Sequence, residues 1–187
     1  MSYNGHASVE PYTVYLALFT REYRAPPDDP SKPNQLYQAL CPGDSEWHWS
    51  IIVTDHDPES RPSHIIHANN DNANGDWEFL VEPRRLGDFR RLVLLYKIPF
   101  VESGQLFEDR FQHIKSAVNR ELNPEDFCYE PIDCRLWLLN LLAILERENI
   151  IKLPLLLPEL EKDAGEKALK HQREHGWGHN KYLVFGT

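Results

Sequence analysis

Cys134 follows Asp133, a residue type that caps helices well, and opens the run Cys134-Arg135-Leu136-Trp137-Leu138-Leu139, which is apolar on nearly every side. A thiol is a useful nucleophile only as thiolate, and unpaired backbone N–H groups at a helix start favour that charge. The Asp133 carboxylate works against it, so a nearby imidazolium would matter more. First-turn N–H groups can also hold the oxyanion of an acyl intermediate.

An imidazole is on offer upstream. Trp47-His48-Trp49-Ser50-Ile51-Ile52-Val53 reads as a strand, and Ser63-His64-Ile65-Ile66-His67-Ala68 as its hairpin partner. Alternation puts His48, Ser50 and Ile52 on one side and Trp47, Trp49, Ile51 and Val53 on the other. Pairing His48 with His67 centres the turn on Asp57-Pro58, where turn formers are densest; pairing it with His64 centres the turn on His56. The first register is favoured, and His67 could then orient His48 as the third member of a nucleophile–base–orienter set. Cys128, between Phe127 and Tyr129, reads as a buried structural thiol, and Cys41 falls in a loop.

These residues need a scaffold. Tyr12 to Thr20 is bulky on both faces and predicts a central or second strand, while the proline-rich stretch 21–45 predicts a long surface loop with a short helical turn at Gln35–Leu40. A further polar loop is expected over Asn69–Gly75, then strands over Trp77–Val81 and Arg91–Ile98. Helices are expected over Gln105–Glu121, Cys134–Asn149 and Leu160–His175, with an edge strand over Lys181–Phe185. Strands first and helices second imply an α+β fold: an antiparallel sheet with helices packed on one face. The 187 residues suit a single domain, with a core over 12–150 and a C-terminal helix and tail over 155–187.

Twenty-nine acidic against twenty basic side chains give a net charge of -9, which opposes binding to nucleic acid or an anionic membrane. The basic pairs Arg84-Arg85 and Arg90-Arg91 are split by Asp88 and read as a solvated strand entry. No stretch reaches the roughly 18 apolar residues of a membrane span, and the start lacks the order of a signal peptide. Three cysteines without CxxC spacing suggest neither disulfides nor a cysteine zinc site, so a cytoplasmic location is expected.

The order of motifs, His in H-W-x-I-x-V, a second His closing I-I-H, then Cys opening a long apolar helix, resembles the circularly permuted papain-like superfamily. That group includes NlpC-type peptidases, lecithin:retinol acyltransferase-like enzymes and PPPDE peptidases. A closer resemblance is to small fungal proteins of uncharacterised function, carried by Tyr15-Leu16-Ala17-Leu18, His48-Trp49 with Val53, His67-Ala68 and Cys134 with Trp137. The resemblance spans about residues 12 to 145 and implies Cys134 as nucleophile, His48 as general base and His67 as orienter, with His64 or Asn69 as alternatives for the third role. It implies a Cys-His hydrolase or acyl transferase acting on a peptide, amide or acyl-thioester without a cofactor. A non-catalytic binding module on the same fold is the competing expectation, in which Trp47, Trp49, Trp77 and Phe79 line an apolar cleft.

His171-Gln172-Arg173-Glu174-His175 matches the inverted zinc-peptidase pattern H-x-x-E-H. A third ligand is required, and Gly176 and Gly178 break the helix before His179 could join that face. No metal is expected there. No phosphate-binding glycine loop occurs.

Overall fold

Val14–Thr20 (β1) buries both of its faces, which places it inside the sheet. It lies between Trp47–Val53 (β2) and Leu92–Ile98 (β5) in a six-stranded sheet of order β4-β3-β2-β1-β5-β6, where β3 is Ser63–Asn69, β4 Glu78–Arg84 and β6 Leu183–Phe185. The computed structural model describes residues 8–20, 47–69, 78–89, 91–101, 106–121, 133–175 and 182–186. The loop expected over 21–45 with its helical turn, the body of the Asn69–Gly75 loop, Trp77, Cys41, Cys128 and His179 lie outside them.

The fold is α+β, with three helices among the described residues: Phe107–Glu121 (α1), Cys134–Arg147 (α2) and Leu157–His175 (α3). All three bury apolar stripes on one face of the sheet. Phe111, Ile114 and Val118 of α1, Trp137, Leu141 and Leu145 of α2, and Leu160, Ala164 and Ala168 of α3 share a core with Val14, Leu16, Leu18, Trp47, Trp49, Ile51 and Val53. Tyr15, Ala17, Phe19, Ile52, Ile65, Leu86, Leu92 and Leu95 form a second cluster on the opposite face.

The sheet is mixed rather than antiparallel. β6 pairs with β5 in parallel, because the chain reaches it through helices, and a helical crossover returns the chain in its original direction. The β2–β3 register also differs from expectation. Ser50 lies opposite His67 and Val53 opposite His64, so the hairpin centres on Pro58-Glu59 instead of Asp57-Pro58. The loop is wider than a tight turn: Arg61 N–H donates to the Asp57 carbonyl at 2.8 Å, and the Asp57 carboxylate accepts from Ser60 N–H at 3.3 Å. The displacement is two residues, an even number, so every side chain keeps its expected face.

The helix ends follow from local chemistry. Asp133 Oδ1 accepts Leu136 N–H at 2.7 Å and caps α2. Asn149, expected inside this helix, instead takes a left-handed φ of 58° and stops it, with Ile150 N–H donating to the Leu145 carbonyl and Asn149 N–H to the Glu146 carbonyl, a Schellman closure. α3 starts at Leu157, before the expected Leu160, because Pro158 falls in the first turn, where no amide donor is needed. Tyr96 Oη donates to Asp163 Oδ2 at 2.9 Å and ties α3 to β5; burial and that carboxylate push the phenol up to about 12.

Thr54 ties residues 10–13 to the end of β2. Its Oγ1 accepts Thr13 N–H at 2.8 Å and donates to the Glu10 carbonyl at 2.8 Å, inside a fully buried site. The isosteric change Thr54→Val leaves the Thr13 amide without this acceptor, so it should destabilise the protein by about 1–3 kcal/mol in urea unfolding. Faster exchange of the Thr13 amide should accompany the loss; unchanged stability and exchange would show that the node carries no weight.

Candidate functional site

His48 sits between Trp47 and Trp49, both packed into the helix-side core, so strand alternation sends its imidazole to the other face. On that face the Ser50↔His67 register makes His48 and His67 diagonal neighbours, a separation that long side chains bridge. They do so here: His48 Nε2 and His67 Nδ1 are 3.0 Å apart, with the rings nearly perpendicular at 89°. One nitrogen must donate and the other accept, so the pair holds a single proton on the line between them.

The surroundings are partly apolar and partly charged. The Phe19 ring lies 6.2 Å from the His48 ring and is itself braced edge-on by Phe89. On the β4 side, Glu82 Oε2 stands 3.9 Å from His67 Nε2 and is held by Arg84 through Nη2 at 2.9 Å and Nε at 3.1 Å. Ser50, on the same face and opposite His67, is fully buried, and its Oγ has no hydrogen-bond partner among the described residues. Alternation put Ser50 on the His48 face without giving it a role, and Glu82 was not among the expected site residues. The signal for both was available as strand parity once the register was known.

Cys134 is in the first turn of α2 as expected, beside Arg135, whose Nη1 pairs with Glu161 Oε1 at 2.5 Å and whose Nε lies 3.8 Å from Asp133 Oδ2. The thiol is only 1% exposed and belongs to the core that contains Trp47 and Trp49. The sheet therefore stands between Cys134 and the two imidazoles, and packed layers are separated by about 10 Å. Of the three expected site residues, the structure brings His48 and His67 together and leaves Cys134 apart. The reason lies in β2: the helix layer selects the Trp-Trp-Ile-Val face, and the histidine between the tryptophans is excluded from it.

His64 lies on the helix side with its ring 4.3 Å from Phe111, yet at the wrong end of the sheet for Cys134. Trp137, one turn beyond Cys134, stacks on Phe79 at 5.1 Å, and Phe79 pairs with Ala68. The four residues from Ala68 to His64 span about 13 Å of strand. Asn69 ends β3 opposite Glu78. His171 and His175 lie 4.5 Å apart, ring to ring, on α3, and among the described residues no group of three or more His, Cys, Asp or Glu is arranged to hold a metal ion.

Burial lowers the His64 imidazole below its usual value, helped by the Lys115 ammonium and opposed by Asp55 and Glu108. A histidine depressed in the folded state is neutral there and binds more protons when unfolded. Its contribution is complete above the unfolded value of about 6.5 and is lost as pH falls below that toward the folded value. His64→Gln should therefore flatten the decline of unfolding free energy between about pH 7 and 5, measured by denaturant titration. Parallel wild-type and variant profiles would contradict the assignment.

Comparison with known proteins returned no match to a family model, to a curated protein or to a solved structure.

Proposed function

We propose that this chain is a non-catalytic binding module whose polar recognition feature is the His48–His67 imidazole pair. One observation carries the reading: the paired imidazoles and the buried Cys134 thiol lie on opposite faces of the sheet. Thiol chemistry needs the base within about 3 Å of the sulfur or one water away. Two imidazoles held 3.0 Å apart instead form a fixed polar feature on their face of the sheet. The net charge of -9 favours neutral or cationic partners over nucleic acid or anionic lipid. Among the described residues no helix is long and apolar enough to cross a membrane.

A second reading is a Cys-His hydrolase or acyl transferase of the permuted papain-like kind, acting on an amide or thioester. It is favoured by the position of Cys134 in the first turn of a capped helix, where the helix dipole favours a thiolate. In that reading Cys134 attacks the carbonyl carbon, the leaving group departs with a proton, and water or an acceptor later cleaves the thioester.

Thiol reactivity separates the two. For a binding module, iodoacetamide should label Cys134 no faster than Cys128 at neutral pH, with the rate unchanged in His48→Ala. Activated acyl donors should leave no hydroxylamine-labile adduct in the intact mass. A thioester on Cys134 whose formation slows roughly 10²–10⁴-fold in His48→Ala, the cost typical of a lost general base, would replace the binding reading with the hydrolase.

A further inference from the structure

We infer that the strip of β5 flanked by α3 is a receptor site for an extended segment carrying an aromatic residue followed by glycine, filled in this structure by residues 183–186 of the chain itself. The site is independent of the imidazole pair. β6 lies parallel to β5 over only three pairs, Leu94↔Leu183, Leu95↔Val184 and Tyr96↔Phe185, and all three of its residues are half-buried. A strand so short and so incompletely covered opens locally at far lower cost than β1, which is buried on both faces. Main-chain pairing along β5 gives affinity for any extended chain. Side chains make the choice.

One contact takes the aromatic ring. Phe185 packs with its ring 4.9 Å from that of Tyr96, and Lys167 Nζ lies 4.0 Å over the Phe185 face. The Tyr96 hydroxyl donates to Asp163 Oδ2 at 2.9 Å, and the Lys167 ammonium donates to the other oxygen of the same carboxylate. Tyr96, Asp163, Lys167 and Phe185 thus close a circuit of contacts through β5, α3 and β6. Only Phe185 belongs to the short strand, so the other three form a seat in which a fixed ammonium meets the face of an incoming ring. An aliphatic side chain in that seat forgoes the cation–π contact. A second contact takes the glycine. Gly186 crosses the Lys97 side chain so closely that a Cβ there would overlap the Lys97 Cβ. The position of that Cβ is set by the β5 backbone, so no rotamer of Lys97 relieves the overlap, and any residue but glycine must pull the segment off the sheet.

Amide exchange and chemical shifts of the ¹⁵N-labelled full chain test this. In the wild type the hydrogen-bonded amides of β6 should exchange through a local opening, well ahead of those of β1. Lys167→Met should speed them roughly tenfold further, the effect of losing one partly desolvated cation–π contact, and Lys167→Arg should restore the wild-type rate. In the Phe185→Ala chain, a peptide of residues 182–187 supplied at millimolar concentration, the range a tethered segment reaches by itself, should shift the Leu94, Leu95 and Tyr96 resonances saturably. The same peptide carrying Phe185→Ala or Gly186→Ala should leave them in place. Exchange of β6 only with global unfolding, equal shifts from all three peptides, or shifts from none would overturn the inference; the wild-type exchange rates decide alone if the Phe185→Ala chain does not fold. A Cys134 thioester would remove the binding reading of the imidazole pair and leave this site untouched.

Discussion

Side chains of a β-strand alternate faces, and in β2 that rule governs every feature of the candidate site. Trp47, Trp49, Ile51 and Val53 supply the apolar surface on which α2 settles, so α2 and its Cys134 must lie on their side. His48 is a single residue away from two tryptophans and cannot share their face. Reversing the strand to bring His48 to the thiol would expose both indoles and bury a histidine, losing several kcal/mol of apolar burial in the process.

The remaining packing reinforces that choice. Trp137 is fully buried and stacks on Phe79 with planes only 8° apart, which fixes the N-terminal half of α2 over β3 and β4. At the other end, Ile150 and Ile151 bond back to Leu145, and Ile151 bridges to Phe100 just beyond β5. The Asp133 cap and the Schellman closure at Asn149 leave little room for α2 to slide along its axis. A slide of one turn, about 5.4 Å, would break both ends and still leave the thiol on the same face.

Much of this was legible in the residues. The two-period pattern of β1, β2 and β3 and the apolar periodicity of the helices gave elements within a few residues of those observed, because each is dictated by local sequence. The even-numbered register displacement at Pro58-Glu59 did no harm to face assignments, and the His48–His67 contact emerged as a diagonal pair instead of a direct one. Two things were not legible. The parallel pairing of β6 depends on where α3 delivers the chain, and the side of the sheet taken by α2 depends on packing between segments far apart in the chain. The motif order Trp-His-Trp and Cys-x-x-Trp fixes which residue types are present, while only the layer arrangement says which of them meet.

The two halves of the site also differ in what burial allows them to do. Cys134 is 1% exposed within an apolar core, an environment in which a thiol packs as a small hydrophobe. The imidazoles are only partly buried, and the His67 side chain retains 12% of its exposure. A half-buried imidazole pair held on a rigid sheet suits the proposed binding role, because polar groups fixed before binding carry a low ordering cost. Covalent chemistry through Cys134, the second reading, would require an imidazole within reach of the sulfur.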